Sequence, residues 1–275
     1  MAASMFKTRV ITASLLLPLF VGGMFWLDSG WWAVALLPLV LAGAWEWGTL
    51  AGFGRLSRWF YCGFILASGL TVLLAGHHWH LLDVEKTVLW ASALFWFICA
   101  PLWLWIGWKP RKPVSFFVAG WILLVPTWIA MVRLQSAPWV LLSVLGVIWV
   151  ADSAAYFAGR NWGRHKLAAT ISPGKTWEGV FGGAVAVAVY HLLVWNFGLA
   201  AQSPANGLAA ALLVAVLFPL SILGDLFESW IKRQAGVKDS GKLLPGHGGI
   251  LDRIDALTST LPLAALAISW MMTRP

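Results

Sequence analysis

One polar stripe in an otherwise apolar segment has the spacing of a single helix face. Asp225, Glu228, Ser229 and Lys232 stand at positions i, i+3, i+4 and i+7, which lie on one side of a helix. Because the neighbouring residues are apolar, a helix here must turn this stripe toward protein or water. The side chains could bind a cation and phosphate groups, or Glu228 and Lys232 could form an internal ion pair. This segment alone leaves both interpretations open.

A second acidic segment follows after a polar loop. Its order is Pro245-Gly246-His247-Gly248-Gly249-Ile250-Leu251-Asp252-Arg253-Ile254-Asp255. The glycines allow tight turns, and the helix expected after them would offer free N–H groups and the positive end of its dipole. The ordinary preference for acidic residues in a first helical turn explains one aspartate. It does not explain Asp252 and Asp255 together with a histidine and three glycines.

These two segments together indicate a divalent-cation site. Mg²⁺ typically takes one or two protein carboxylates, with phosphate oxygens and waters completing its shell. Asp225 and Asp252, on helix ends joined by one loop, are therefore predicted as metal ligands and catalytic residues. Lys232 and Arg253 are predicted to add catalytic positive charge, and Lys238 to bind phosphate. A basic loop that faces anionic lipid headgroups is the alternative for these cations.

A third polar segment has a phosphate-binding composition without a complete P-loop. It reads Ile171-Ser172-Pro173-Gly174-Lys175-Thr176-Trp177-Glu178-Gly179. The P-loop pattern requires a glycine at position 169, which is alanine, and no strand is expected before it. We therefore predict a small basic turn that binds phosphate at the start of a helix. Asp152 and Tyr156, at the end of the preceding helix, are expected to point toward the same region.

The elements that carry these residues are predicted to be membrane-spanning helices. The chain is 60% hydrophobic and only 11% charged, whereas about a quarter of a soluble domain is charged. Its apolar runs are long enough for helices to cross the hydrocarbon core. We predict an all-α polytopic membrane protein, forming a single transmembrane domain over 1–275, with five N-terminal spans in 1–135 and four catalytic spans in 136–275. The nine predicted spans are 9–27, 31–51, 59–76, 86–107, 114–133, 138–159, 178–199, 206–231 and 250–272.

The basic residues predict the orientation of these spans. A cytoplasmic N-terminus and nine crossings put the C-terminus outside and leave only Lys86, Arg133 and Arg274 of the 19 lysines and arginines on the outer side. The net charge of +8 is then a matter of membrane topology, and no nucleic-acid partner is expected. Most acidic residues within spans border two long inner loops, 160–177 and 232–249. Glu46 could be a buried hydrogen-bond partner or part of a cavity, and the sequence does not decide.

Two of these segments resemble a known family. One is Ser229-x-Ile231-Lys232-Arg233-x4-Lys238-Asp239-x-Gly241-x2-Leu244-Pro245-x-His247-Gly248-Gly249-Ile250-x-Asp252-Arg253-Ile254-Asp255, which resembles the signature of the phosphatidate cytidylyltransferases. The segment 171–179 resembles a second part of that family, with Gly174 where lysine is common. Ser153-Ala154 follows Asp152 where Thr-Gly is usual. The N-terminal half resembles the family in hydropathy and in a few residues near Arg9.

The resemblance implies a reaction in which CTP and phosphatidate give CDP-diacylglycerol and pyrophosphate. It implies Mg²⁺ as cofactor, with the number of ions left open, and CTP, phosphatidate and membrane lipids as partners. It also allows a homodimer, and it implies a bacterial inner-membrane location with the active site facing the cytoplasm. The implied substrate-binding residues are Ser172, Lys175, Glu178, Glu228, Ser229, Lys238, Asp239, His247, Asp255 and Asp152. The alternatives are a CTP-using lipid kinase, a transporter with carboxylates at the bilayer midplane, and a membrane scaffold.

Overall fold

Apolar helices form nearly all of the computed structural model, which describes residues 2–78, 82–110, 112–197, 207–244, 246 and 248–272. A π-helical turn, Phe95–Cys99, joins the fourth helix to the fifth, and two short strands precede the eighth. The helices are α1 Ala2–Trp26, α2 Ser29–Leu50, α3 Arg55–His78, α4 Leu82–Leu94, α5 Ala100–Trp105, α6 Pro113–Leu134, α7 Pro138–Trp162, α8 Trp177–Asn196, α9 Gly207–Gln234 and α10 Leu251–Met272.

The prediction of a polytopic all-α membrane protein is confirmed. Within the described ranges, eight helical segments are long and apolar enough to cross a membrane, and they match the second to ninth predicted spans. The fourth of the predicted spans is one continuous helical segment, Val84–Trp105, built from α4, the π-helical turn and α5. The first predicted span, 9–27, falls in α1, which is helical from Ala2 to Trp26.

A short β-hairpin lies between α7 and α8, where the sequence analysis expected no strand. The strands β1, Lys166–Ala168, and β2, Ser172–Thr176, pair antiparallel, with Ala168 opposite Ser172. The amide of Ile171 donates to the carbonyl of Ala168 at 3.1 Å and closes the turn. The pairing satisfies backbone N–H and C=O groups of the two strands. The expectation was wrong because β1, with three residues, is too short to show an alternating pattern.

Small residues allow α7 and α8 to pack closely and so fix the hairpin between them. A Cβ added to Gly179 would lie 2.8 Å from the carbonyl oxygen of Ala155, and one added to Gly182 would overlap Ala158. Close backbone approach at glycine and alanine is the usual means of helix association in membranes. The Thr176 hydroxyl also caps α8 by accepting from the Gly179 amide at 3.1 Å. The hairpin is therefore held at the start of α8.

A second close contact joins α9 to α10. A Cβ added to Gly224 would lie 2.6 Å from both the carbonyl oxygen of Asp255 and the hydroxyl of Ser259. The Ser259 hydroxyl donates to the carbonyl of Leu220 on α9 at 2.8 Å. This approach brings Asp225, next to Gly224, beside the first turn of α10.

The face of α9 opposite its polar stripe packs into an aromatic cluster. Phe227 is fully buried, and its ring lies 5.3–5.5 Å, centroid to centroid, from the rings of Phe95, Trp96 and Trp103. The main core is continuous from α2 to α10, so helices from both halves of the chain share it. Because one face of α9 is fixed in this core, its acidic stripe is turned toward the remaining opening in the bundle.

Candidate active site

A cavity of about 550 Å³ lies between α7, the hairpin, α8, α9, the loop 235–250 and α10. Most of the predicted site residues line it, although they come from segments far apart in the chain. These are Asp152, Ser172, Lys175, Asp225, Ser229, Lys232, Lys238, Asp239, Asp252, Arg253 and Asp255. Tyr156 lines it as well, which confirms its predicted place. Arg160 and Arg233 add cations that were not predicted as site residues.

Acidic and basic side chains line the cavity in nearly equal number. Its acidic lining residues are Asp152, Asp225, Asp239, Asp252 and Asp255, and its basic ones are Arg160, Lys175, Lys232, Arg233, Lys238 and Arg253. Val180, Phe218 and Ile222 line it as well. On α9, Phe218 and Ile222 lie one to two turns before Asp225, so the apolar lining is farther from the C-terminal end of that helix. The cavity can therefore accommodate a charged group and an adjoining apolar one.

The first of two lysine–aspartate pairs joins the hairpin to α9. Lys175 Nζ on β2 lies 2.6 Å from Asp225 Oδ2, and the two side chains are 21% and 31% exposed. The other oxygen of Asp225 accepts from the hydroxyl of Ser229, one helical turn later, at 3.2 Å. This pair faces the cavity and is accessible to a ligand.

The second pair joins α9 to α10 and is more deeply buried. Lys232 Nζ lies 2.6 Å from Asp252 Oδ1 and 3.3 Å from Glu228 Oε2, and all three side chains are at most 10% exposed. The internal ion pair of Glu228 with Lys232, left open by the sequence, is thus present. Glu228 is not part of the cavity lining. Its carboxylate contacts the Lys232 ammonium, so Lys232 lies between the carboxylates of Glu228 and Asp252.

The N-terminus of α10 is already occupied by protein carboxylates. Asp252 Oδ2 accepts from the amide of Gly249 at 2.8 Å and from the amide and hydroxyl of Ser240 at 2.9 and 3.0 Å. The amides of Ile250 and Leu251 donate to Glu46. The expectation that these N–H groups would be free for an anion was therefore wrong. Helix-start amides need acceptors, and two acidic side chains supply them here.

Glu46 is the buried hydrogen-bond partner that the sequence left undecided. It lies near the end of α2, is 6% exposed, and also accepts from the Ser240 hydroxyl at 2.9 Å. Ser240, which was not predicted as a site residue, thus touches both Glu46 and Asp252. Contacts across about two hundred residues leave no local signal in a sequence, apart from an acidic residue inside an apolar run.

Two further predicted residues have different placements. Glu178 lies in the first turn of α8 and outside the cavity lining. Its carboxylate accepts from the amides of Arg164 and His165 at 3.1–3.3 Å, and Oε1 lies 2.6 Å from His165 Nδ1. These contacts organise the start of the hairpin. His247 lies outside the described residues.

The donor set suits a cation that takes few protein ligands. Among the residues that the structure describes, no three acidic, histidine or cysteine side chains are grouped closely enough to hold a metal alone. Mg²⁺ does not require three, because substrate phosphates and waters complete its octahedron. Asp225 and Asp252 both line the cavity, and each is paired with a lysine whose ammonium occupies a position that a cation could take. The residues present therefore fit Mg²⁺ bound together with a phosphate ligand.

The fold and the cavity define a multi-pass membrane protein with a charged, ligand-sized site at one end of its bundle. Comparison with known proteins identifies the family. A sequence model of the cytidylyltransferase family matches residues 7–271, and this chain belongs to that family. The match includes the N-terminal half, whose resemblance to the family lies in hydropathy and in a few residues near Arg9.

Curated relatives agree with this assignment. A phosphatidate cytidylyltransferase from Pseudomonas aeruginosa is 39% identical over 97% of each chain. One from Haemophilus influenzae is 34% identical over 94% of this chain and 96% of its own. One from Staphylococcus epidermidis is 44% identical over 48% of this chain and 49% of its own.

Proposed function

We infer that this chain transfers CMP from CTP to phosphatidate, giving CDP-diacylglycerol and pyrophosphate. The relatives that bear the name phosphatidate cytidylyltransferase match almost its whole length. The structural observation that carries the proposal is the cavity with two lysine–aspartate pairs at one end of the membrane-spanning helices. A nucleotide triphosphate needs cations and a metal site, and a lipid phosphate must reach the same place from the bilayer.

The lining of the cavity fits both substrates. Phe218 and Ile222 are expected to face the glycerol end of phosphatidate, because they lie toward the middle of α9. Lys175, Lys238 and Arg253 are expected to hold phosphate oxygens of CTP and of the lipid, lysine as a point charge and arginine as a fork. The lipid substrate need not leave the membrane for its phosphate to enter the site.

Asp225 and Asp252 are the proposed ligands of Mg²⁺. Held there, the ion would supply positive charge that offsets the charge developing on the phosphate oxygens. Lys175, in the more exposed pair, would turn toward the phosphate groups, and Lys232 would contact them from its place between Glu228 and Asp252. Asp255 and Asp152 also line the site and are proposed to orient its cations.

The chemical step needs positioning more than acid–base catalysis. A phosphatidate oxygen attacks the α-phosphorus of CTP in line, a new P–O bond forms, and the bond to the bridging oxygen of pyrophosphate breaks. The attacking oxygen is already ionised, so no side chain has to remove a proton. Lys232 and Arg253 stabilise the charge on the leaving pyrophosphate and on the α-phosphate of the transferring cytidylyl group. Fixed cations in a partly enclosed cavity are the main contribution of this chain.

The proposal includes an orientation. The cavity end of the bundle faces the cytoplasm of a bacterial inner membrane, because CTP is available only there, and the basic residues of the loops favour that side. The N-terminus would then be cytoplasmic and the C-terminus outside. The resemblance to the family also supports a homodimer, which size measurement in detergent would test. Labelling of single cysteines placed at the exposed positions 166 and 136 from either side of the membrane tests the orientation.

Position-specific labelling of CTP tests the reaction. Purified protein is incubated with phosphatidate, Mg²⁺ and CTP labelled either at the α- or at the γ-phosphate. We expect α-label in the lipid and γ-label in pyrophosphate, with no turnover after chelation of Mg²⁺. A CTP-using kinase would put γ-label in the lipid and release CDP, and that result would overturn the proposal. The Asp225→Asn variant is the control for contaminating activity.

A further inference from the structure

A buried glutamate in the N-terminal half is connected to the site without lining it. Glu46 on α2 accepts three hydrogen bonds, from Ile250 N at 3.1 Å, Leu251 N at 3.0 Å and Ser240 Oγ at 2.9 Å. In the described part of the chain, no lysine or arginine forms an ion pair with it. Two amides and the positive end of the α10 dipole provide the compensation for a carboxylate buried in a membrane protein.

The loop approaches Glu46 so closely that two glycines are required. A Cβ added to Gly241 or to Gly249 would overlap the Glu46 carboxylate, and at Gly249 it would also overlap the Ser240 hydroxyl. Both glycines therefore serve close approach to this side chain. The loop 235–250 and the start of α10 are thus shaped around Glu46.

Hydrogen bonds lead from Glu46 to the charged groups of the cavity. The Ser240 hydroxyl touches both Glu46 and Asp252, and the Ser240 amide donates to Asp252 Oδ2 at 2.9 Å. The opposite oxygen of Asp252 binds Lys232 at 2.6 Å. The hydroxyl has one proton, which it donates to one carboxylate at a time or shares between the two, so Ser240 bridges Glu46 and Asp252. The position of Asp252, and through it of Lys232, depends on where Glu46 holds the loop.

We propose that Glu46 is a positioning residue for cytidylyl transfer. It fixes Ser240 and the first turn of α10 so that Asp252 and Lys232 point into the cavity at the positions needed by the metal and the phosphates. This inference rests on the proposed function. It also gives the N-terminal half a role in the reaction, although none of the residues described in that half lines the cavity.

A double-mutant cycle tests this role. Glu46→Gln keeps the size of the side chain but places an amide group against donors, and we expect kcat to fall by about 10–100-fold, as for other partners that orient metal ligands. Ser240→Ala removes only the hydroxyl, and we expect a loss of about 3–10-fold. If Glu46 acts through Ser240, the double variant should be about as slow as Glu46→Gln alone.

A second readout does not depend on turnover. Hydrogen–deuterium exchange should become faster in peptides covering 238–253 when Glu46 is changed to Gln. The matched control is Glu85→Gln, because Glu85 is equally buried but pairs with Arg133 away from the cavity. We expect this control to keep kcat within about twofold even where it lowers the melting temperature, since it removes only a structural ion pair.

The outcomes separate this inference from the proposed function. Wild-type protein that makes no CDP-diacylglycerol would refute the function itself. If wild-type protein is active and the two losses multiply in the double variant, or Glu46→Gln retains full kcat, the positioning role is wrong. If Glu46→Gln does not fold, Ser240→Ala remains decisive, because normal kcat and normal exchange in that variant would refute the connection through Ser240.

Discussion

The two lysine–aspartate pairs of the cavity are chemically alike but differ in how firmly they are held. Lys175 and Asp225 are 21% and 31% exposed, and Ser229 is the further partner of the aspartate. Lys232 and Asp252 are 10% and 7% exposed and are surrounded by Glu228, Ser240, Gly249 and, one contact away, Glu46. The first pair can separate with little effect on its surroundings, whereas the second is part of the packing of α9 against α10. We expect the first to respond to substrate and the second to preserve the shape of the site.

The aspartates give the largest expected effect. Asp225→Asn and Asp252→Asn should each lower kcat by roughly 10³-fold or more, because each removes a proposed metal ligand. Only Asp252→Asn should also reduce stability, by about 1–3 kcal/mol, since it weakens the acceptors of buried donors. Turnover and thermal unfolding in detergent measure both effects. Near-normal turnover in either variant would show that its aspartate is not a metal ligand. Equal loss of stability in both would show that the two pairs do not differ in how firmly they are held.

Substitution of the two lysines tests the same difference between the exposed and the buried pair, with smaller expected effects on activity. Lys175→Ala should raise the KM for CTP by about tenfold with little change in unfolding, because its aspartate stays accessible to water. Lys232→Ala should lower kcat by about 100-fold and also destabilise the protein, because Glu228 and Asp252 are left as neighbouring buried carboxylates.

Steady-state kinetics and melting temperatures for both variants provide the measurement. Lys166→Ala is the matched control, since Lys166 is exposed on β1 and lies outside the cavity lining. Its kinetics should stay within about twofold of the wild type. A stable Lys232→Ala protein, or a destabilised Lys175→Ala protein, would contradict the difference in burial between the pairs.

The fold and most of the cavity could be predicted because their signals are local. Spans are long apolar runs, and the acidic stripe of α9 follows helical spacing, so Asp225, Ser229 and Lys232 share a face in both prediction and structure. The short segment that ends at Asp255 carries most of the lining of one side of the cavity. The residues of this segment are close along the chain, and one helix–loop–helix connection is enough to bring them together in the cavity.

The parts that could not be predicted depend on long-range contacts or on very short elements. The partners of Glu46 lie 194 to 205 positions away, and nothing near residue 46 identifies them. For the same reason, the N–H groups at the start of α10 were expected to be free. The hairpin was missed because its first strand has three residues. Glu178 was assigned to substrate from its place in a family segment, although its contacts are with the preceding loop.

Glu178 is the site of the smallest expected effect, and it tests what holds the open side of the cavity. Its carboxylate binds the amides of Arg164 and His165 and the ring of His165. Glu178→Gln keeps the shape but weakens these charge-assisted bonds, so Lys175 should be held less firmly, and kcat/KM for CTP should fall by only about two- to fivefold.

The variant His165→Ala distinguishes a role of Glu178 in organising the hairpin from a role in contacting substrate, because it removes the ring contact without changing Glu178. If Glu178 organises the hairpin, both variants should show similar small losses. If Glu178 instead contacts substrate, as the family segment implied, Glu178→Gln should lose far more activity than His165→Ala, and the hairpin side would then be as closely tied to the reaction as the side built on Asp252.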